Sequence, residues 1–233
     1  MTALFQPHNP SADRDRPTPA AILFDLDGTL IDSGPGIINS IRHALAELGR
    51  EPPSAAALRW CVGPPLTVIF QRLLRADDPA LIASAVAAYR RRYQAGGMFE
   101  AAVYPGIPAA LARLKARGPR LYVATSKPEI FARQILTHFG LARYFTAIHG
   151  SALDGARADK TALIAHALTV TNPPRARALM VGDRATDILG ARRNGLRAAA
   201  VTYGYGVWSE LAAARPARFI RHPAQLPVLS RWR

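Results

Sequence analysis

Short apolar runs of strand length alternate along the chain with longer stretches in which apolar positions recur every three or four residues. The runs are 20–25 (AAILFD), 120–125 (RLYVAT), 144–150 (YFTAIHG), 177–182 (RALMVG) and 197–202 (RAAAVT). They are nearly continuous rather than alternating, as in strands buried on both faces of a parallel sheet. Helical spacing covers 106–117, 128–139, 160–170 and 185–194 between them. The alternation predicts an α/β fold: a Rossmann-like parallel sheet with helices on both faces and right-handed crossovers.

One interval breaks the rhythm. Between the first strand and the run at 120–125 no strand pattern occurs, and helical stretches cover 34–49, 54–61, 65–75 and 79–95. Pro52-Pro53, Gly63-Pro64-Pro65 and Asp77-Asp78-Pro79 punctuate them. This predicts an inserted all-helical cap at 34–96, within a core made of 19–33 and 97–220. Residues 1–18, polar and Pro-rich, read as a tail. Residues 221–233 read as a second tail, preceded by one short edge strand at 218–220.

Composition narrows the class. The chain has 233 residues, 49% hydrophobic and 20% charged, which fits a globular protein rather than a disordered one. No apolar run reaches the roughly 18 residues of a spanning helix, so no membrane partner is expected. The amino terminus lacks the apolar stretch and cleavage site of a secretory signal. Cys61 is the only cysteine, which excludes an internal disulfide and fits a reducing cytoplasm. The net charge of +14 raises the question of an anionic partner. Only three of the thirty basic residues are lysine (Lys115, Lys127, Lys160), and the arginines are scattered. Scattered arginine reads as compositional bias, so nucleic acid is not the expected partner; faster capture of anionic small molecules is.

The candidate chemistry stands at strand ends. Asp25-Leu26-Asp27-Gly28-Thr29 leaves the first strand, and in an open α/β sheet the carboxyl ends of the strands form the binding crevice. A carboxylate there can be a nucleophile or a metal ligand. Gly182-Asp183-Arg184-Ala185-Thr186-Asp187 follows another apolar strand, with Asp183 at the tip and Asp187 in the first turn of the next helix. One such acid could merely cap the helix. Two acids at each of two strand tips imply a hard cation, since four unneutralised carboxylates would repel one another. In Thr125-Ser126-Lys127-Pro128-Glu129, Ser126 and Glu129 have the spacing of a capping box, and a helix start there can hold an anion with help from the Thr125 hydroxyl. Lys160 opens a helix, where cations are disfavoured, which marks it out; Lys127 is a further candidate.

These four segments resemble, in order and in context, the haloacid dehalogenase superfamily: DxDGT, a hydroxyl residue at the second strand tip, a lysine, then GDxxxD. The stretches DGTLIDSGPGI, GPPL, YPGIPAALARLKARG, LYVATSKP and VGDRATDILGARRNG are similar to its phosphoglycolate phosphatase-like branch, and GPPL and ATSKP also to a 5′-nucleotidase-like subgroup. The resemblance implies a Mg²⁺-dependent phosphatase of small phosphomonoesters. Asp25 would be the nucleophile forming an aspartyl-phosphate, and Asp27 the acid and base. Thr125, Ser126 and Lys160 would bind phosphate. Asp25, Asp183, Asp187 and the main-chain carbonyl of Asp27 would hold Mg²⁺. The cap would close by flexing near Ser33-Gly34 and Gly96-Gly97. The presence of Asp27 disfavours dehalogenation, and the absence of lysine before residue 115 disfavours a Schiff-base phosphonatase. A 5′-nucleotidase and a sugar phosphomutase remain alternatives. A non-catalytic binding protein would show a broken motif, and none is broken. Arg42, Arg59 and Trp60 could contact a substrate, although exposed arginines and a packed tryptophan are the simpler reading. Oligomeric state is not legible.

Overall fold

The computed structural model describes residues 19–231. The stretch 1–18, read as a tail, lies outside the described residues, as do 232–233 of the second tail.

Six parallel strands form the sheet: β1 (Ala21–Phe24), then, past the insertion, β4 (Arg120–Pro128), β5 (Ala147–Ser151), β6 (Ala178–Gly182), β7 (Arg197–Val201) and β8 (Arg218–Ile220). Their order is β5-β4-β1-β6-β7-β8, so the chain runs outward on one side of β1 and then crosses to the other. Ile22 pairs with Leu121 on one side and Leu179 on the other, and every β1 side chain is buried. This is why β1 reads as an unbroken apolar run. The reversal of order beside β1 opens a crevice at the strand ends, the place where α/β sheets bind ligands.

Helices α4 (Ile107–Ala116) and α5 (Glu129–His138) cover one face, packing Leu111 and Ile135 with Ile22 and Phe24. Helices α6 (Lys160–Thr171), α7 (Ala185–Arg193) and α8 (Trp208–Ala214) cover the other, where Ile164, Ile188 and Leu211 meet Leu23 and Met180. Successive β1 residues thus feed opposite layers, as strand pleating dictates.

The insertion contains α1 (Gly34–Glu47), a 3₁₀ turn (Ala56–Cys61), α2 (Leu66–Leu74) and α3 (Pro79–Gln94). Its root is a two-stranded antiparallel ribbon, β2 (Ile31–Asp32) with β3 (Ala102–Val103). Strands of two residues carry no periodic signal, and the sequence reading had none there. Nor did it have α8, only seven residues long. Residues 223–231, read as tail, form a 3₁₀ helix with Leu226 and Leu229 fully buried, clasped by the Arg117 guanidinium, which donates to the Pro227 carbonyl at 2.6 Å.

A further difference concerns the start of α5. The expected capping box between Ser126 and Glu129 does not form; Pro128 is the N-cap, without a side-chain bond. Backbone preceding proline resists the helical region, so the chain stays extended through Lys127 and pairs Pro128 with Ser151. Glu129 instead binds Arg133 at 2.8 Å and accepts the Gly150 N–H at 3.2 Å.

Candidate active site

The crevice is assembled from the ends of β1, β4 and β6 and the start of α6. Asp25 leaves β1 with its N–H on the Val181 carbonyl at 2.9 Å, which fixes it beside β6. Asp183 follows β6, and Asp187 lies in the first turn of α7. One oxygen of each of Asp25, Asp183 and Asp187 lies within 4.8 Å of the others, and all three residues are buried. Lys160 reaches into this cluster from the first residue of α6. Its Nζ is 2.9 Å from Asp25 Oδ1, 2.8 Å from Asp187 Oδ1 and 3.2 Å from the Ala124 carbonyl. The helix dipole opposes a cation at that position, and the two carboxylates more than offset it.

Two of the three acids are also oriented by backbone. Asp183 Oδ2 accepts the Tyr205 N–H at 2.7 Å, and Asp187 Oδ2 accepts the Arg184 N–H at 3.1 Å. Gly28 has φ +77°, and a Cβ there would collide with the Asp183 carboxylate, so the turn needs glycine twice over. Gly182 is likewise pressed against the Asp187 carboxylate.

Three clustered carboxylates, two of them paired with one ammonium, leave excess negative charge in a buried place. Burial, then the charges of Asp25 and Asp187, push the Asp183 carboxyl up to about 8. Burial pushes Asp25 up to about 6, against the pull of Lys160. Burial alone would lower Lys160, but Asp187 and Asp25 outweigh it and hold the ammonium above the ordinary lysine value. A cluster of oxygen donors in that state fits a hard divalent cation, which would relieve the crowding and displace the protons.

Asp27 is not part of the trio and is paired with a different cation. Its Oδ2 lies 2.9 Å from Lys127 Nζ, while its Oδ1 is buried without a hydrogen-bond partner. Burial works against the Lys127 charge, but Asp27, Tyr93 and Tyr89 hold the ammonium well above its usual range. Thr125 is buried at the end of β4 and its hydroxyl accepts the Lys127 N–H at 3.3 Å. Ser126 is half-buried, and its carbonyl accepts the Ser151 hydroxyl at 2.8 Å.

Of the residues considered for substrate contact, Arg42 is exposed on α1, and Trp60 is half-buried against the core with Arg72 over its ring at 4.3 Å. Arg59 is exposed and stands over the Tyr205 ring at 5.4 Å. Tyr205 was not among the sequence candidates. Its hydroxyl contacts Asp32 and accepts the Gly34 N–H at 2.8 Å, at the very root of the insertion. Tyr93, also missed, donates nothing detectable to a sequence pattern: a tyrosine on the buried face of α3 looks like core.

Residues 22–201 match the family model described as Haloacid dehalogenase-like hydrolase. The chain belongs to that family. Within it, the chain is 46% identical over 205 residues to a 5′-nucleotidase of Pseudomonas aeruginosa, covering 88% of this chain and 92% of that protein. It is 43% identical over 189 residues to the tyrosine-protein kinase PtkA of Mycobacterium tuberculosis, covering 81% of this chain but 64% of PtkA. A phosphoglycolate phosphatase of Cereibacter sphaeroides is 37% identical over 189 residues, with 79% and 85% covered. Among solved structures, a predicted phosphatase from Clostridium acetobutylicum superposes with a TM-score of 0.86 at 40% identity, covering 91% of this chain and 98% of that one. This haloacid dehalogenase-like chain is an enzyme of the phosphoric monoester hydrolase class. No described helix is long and apolar enough to cross a membrane.

Proposed function

We propose that this chain hydrolyses small phosphomonoesters through an aspartyl-phosphate on Asp25. The observation that carries the reading is the cluster itself: Asp25, Asp183 and Asp187 converge, Asp25 and Asp187 pair with the buried Lys160 ammonium, and a further acid, Asp27, stands on a separate arm paired with Lys127. Lys160 orients Asp25 and pulls it toward its ionised form against the effect of burial. An Asp25 oxygen forms a bond to phosphorus as the bond from phosphorus to the ester oxygen breaks, and the departing electron pair stays on that oxygen. Asp27 supplies its proton, then takes one from the water that cleaves the aspartyl-phosphate and releases inorganic phosphate. Thr125, Ser126 and Lys160 line the anion's place at the end of β4.

Asp25, Asp183 and Asp187, with the main-chain carbonyl of Asp27, would hold Mg²⁺, a choice supported by the all-oxygen donor set. When bound, that cation supplies charge neutralisation on the phosphoryl oxygens. The buried thiol of Cys61, pushed up to about 12 mainly by burial, is inert and suits a reducing cytoplasm.

For the leaving group, similarity to the Pseudomonas 5′-nucleotidase supports nucleoside 5′-monophosphates as the substrates to expect first, ahead of phosphoglycolate. One feature of the crevice favours the same order. A carboxylate-bearing substrate needs a spare cation, and both buried lysines are already paired with aspartates. The test is phosphate release from a panel of nucleoside 5′-monophosphates, phosphoglycolate and hexose phosphates, with Mg²⁺ and with EDTA. Release from the nucleotides that EDTA abolishes is expected. An isomerised hexose phosphate would identify a mutase instead, and silence across the panel would reject the reading.

A further inference from the structure

The insertion reaches Asp27 through a buried chain of polar contacts. Tyr93, near the end of α3 and 3% exposed, has its hydroxyl 2.7 Å from Lys127 Nζ. Lys127, itself buried at the end of β4, has its Nζ 2.9 Å from Asp27 Oδ2. The ammonium also lies 5.0 Å from the centre of the Tyr93 ring. That ring is gripped on both sides: it stacks on Tyr89 at 5.3 Å and meets the edge of Phe131 at 5.9 Å.

A phenylalanine would fill the same space between Tyr89 and Phe131. The hydroxyl therefore answers a polar need, and Lys127 is the group it serves. Lys127 answers a need in turn: a buried lysine is costly unless it is paired. Its pairing fixes one oxygen of Asp27 and leaves the other, Oδ1, buried and unpartnered. A carboxyl group held by one oxygen presents the second in a defined direction.

We propose that Tyr93 and Lys127 are positioning residues for Asp27: the insertion, through Tyr93, sets the Lys127 ammonium, and Lys127 aims the carboxyl group that protonates the leaving oxygen. The inference rests on the phosphatase reading above, in which Asp27 is the acid. It adds that the acid is aimed only while α3 is seated against β4 and α5, so the inserted helices help to complete the catalytic machinery as well as cover it. Neither residue touches the phosphoryl group in this role.

The test separates the acid's work from everything else by changing the leaving group. In p-nitrophenyl phosphate the leaving group departs without a proton; in a nucleoside 5′-monophosphate, or the fastest alkyl ester of the panel, it needs one. The readout is kcat/KM, which ends at the first phosphoryl transfer and so excludes Asp27's later work on water. Tyr93→Phe is expected to lower kcat/KM for the alkyl ester by about tenfold or more, a fraction of what a general acid supplies, and to leave p-nitrophenyl phosphate within about threefold. Lys127→Met is expected to show the same bias more strongly, and adding Tyr93→Phe to it should change nothing further, because the relay is already broken. Equal losses on both substrates, no loss on either, or independent losses in the double variant would overturn the proposal. Tyr93→Phe alone decides if Lys127→Met does not fold. A wild-type protein that hydrolyses neither substrate would instead reject the phosphatase reading, and the relay with it.

Discussion

Asp25 and Asp183 keep protons, in the cation-free protein, well above the pH at which a solvated aspartate loses them. Their folded values, about 6 and about 8, both exceed the ordinary 3.8. The folded state thus binds protons that the unfolded chain has released. The resulting stabilisation is complete below about pH 4 and is lost as pH rises through about 6 and then about 8. The melting temperature of EDTA-treated protein is expected to fall between about pH 5 and pH 8.5, and saturating Mg²⁺ to remove that fall by taking the protons' place. A flat profile in EDTA would mean that the acids are ionised in place. Asp25→Asn tests the nucleophile. It should cut turnover by at least about a thousandfold, the scale of losing such a group, while the circular dichroism spectrum is unchanged. Retained turnover would move the nucleophile elsewhere. The positions of Asp25, Asp27 and Asp183 at strand ends, and of Lys160 at a helix start where a cation is disfavoured, were legible in the sequence. The contacts made by Tyr93 and Tyr205 were not. The link from Tyr93 to Lys127 spans 34 residues and leaves no periodic trace, and Tyr205 serves Asp183 by a main-chain N–H that any residue could offer.

Elements bounded by clear turn and charge signals stood within a few residues of their predicted ends: β1, β6 and β7, and helices α4, α6 and α7. The misses were short or decided by tertiary contact. β2 and β3 are two residues each, set by the register of Ile31 against Val103. The carboxyl-terminal 3₁₀ helix contains Pro227 and is held by Arg117 rather than by its own propensity. That docking carries a measurable load. Leu226 and Leu229 are fully buried, and each such side chain contributes about 1.5–3 kcal/mol. Truncation after His222 is expected to lower the unfolding free energy by about 3 kcal/mol or more in urea titrations. A loss below about 1 kcal/mol would show that the segment rests on the core without stabilising it.

At the scale of the molecule, the inserted helices and one face of the sheet share a continuous apolar cluster: Ile41, Phe70, Ala88 and Tyr93 belong with Phe24, Leu111 and Ile135. Arg184 ties the two again, donating to the Val62 carbonyl at 3.2 Å. Unfolding in urea should therefore be a single transition, with tryptophan fluorescence (which senses Trp60 on the insertion and Trp208 on α8, besides Trp232 outside the described residues) and circular dichroism superimposing. Two separated midpoints would show that the insertion folds as its own unit.

The scarcity of lysine has a practical corollary. Lys127 and Lys160 are enclosed, so the surface is positive almost entirely through guanidinium groups, and Lys115 is the one lysine open to solvent. Among the lysines, amine-directed reagents at neutral pH should mark Lys115 in native molecules and leave the crevice untouched. A mass spectrum showing labels on the other two lysines would then count the fraction of molecules that had opened, and dye or bead conjugation through amines should leave the crevice intact.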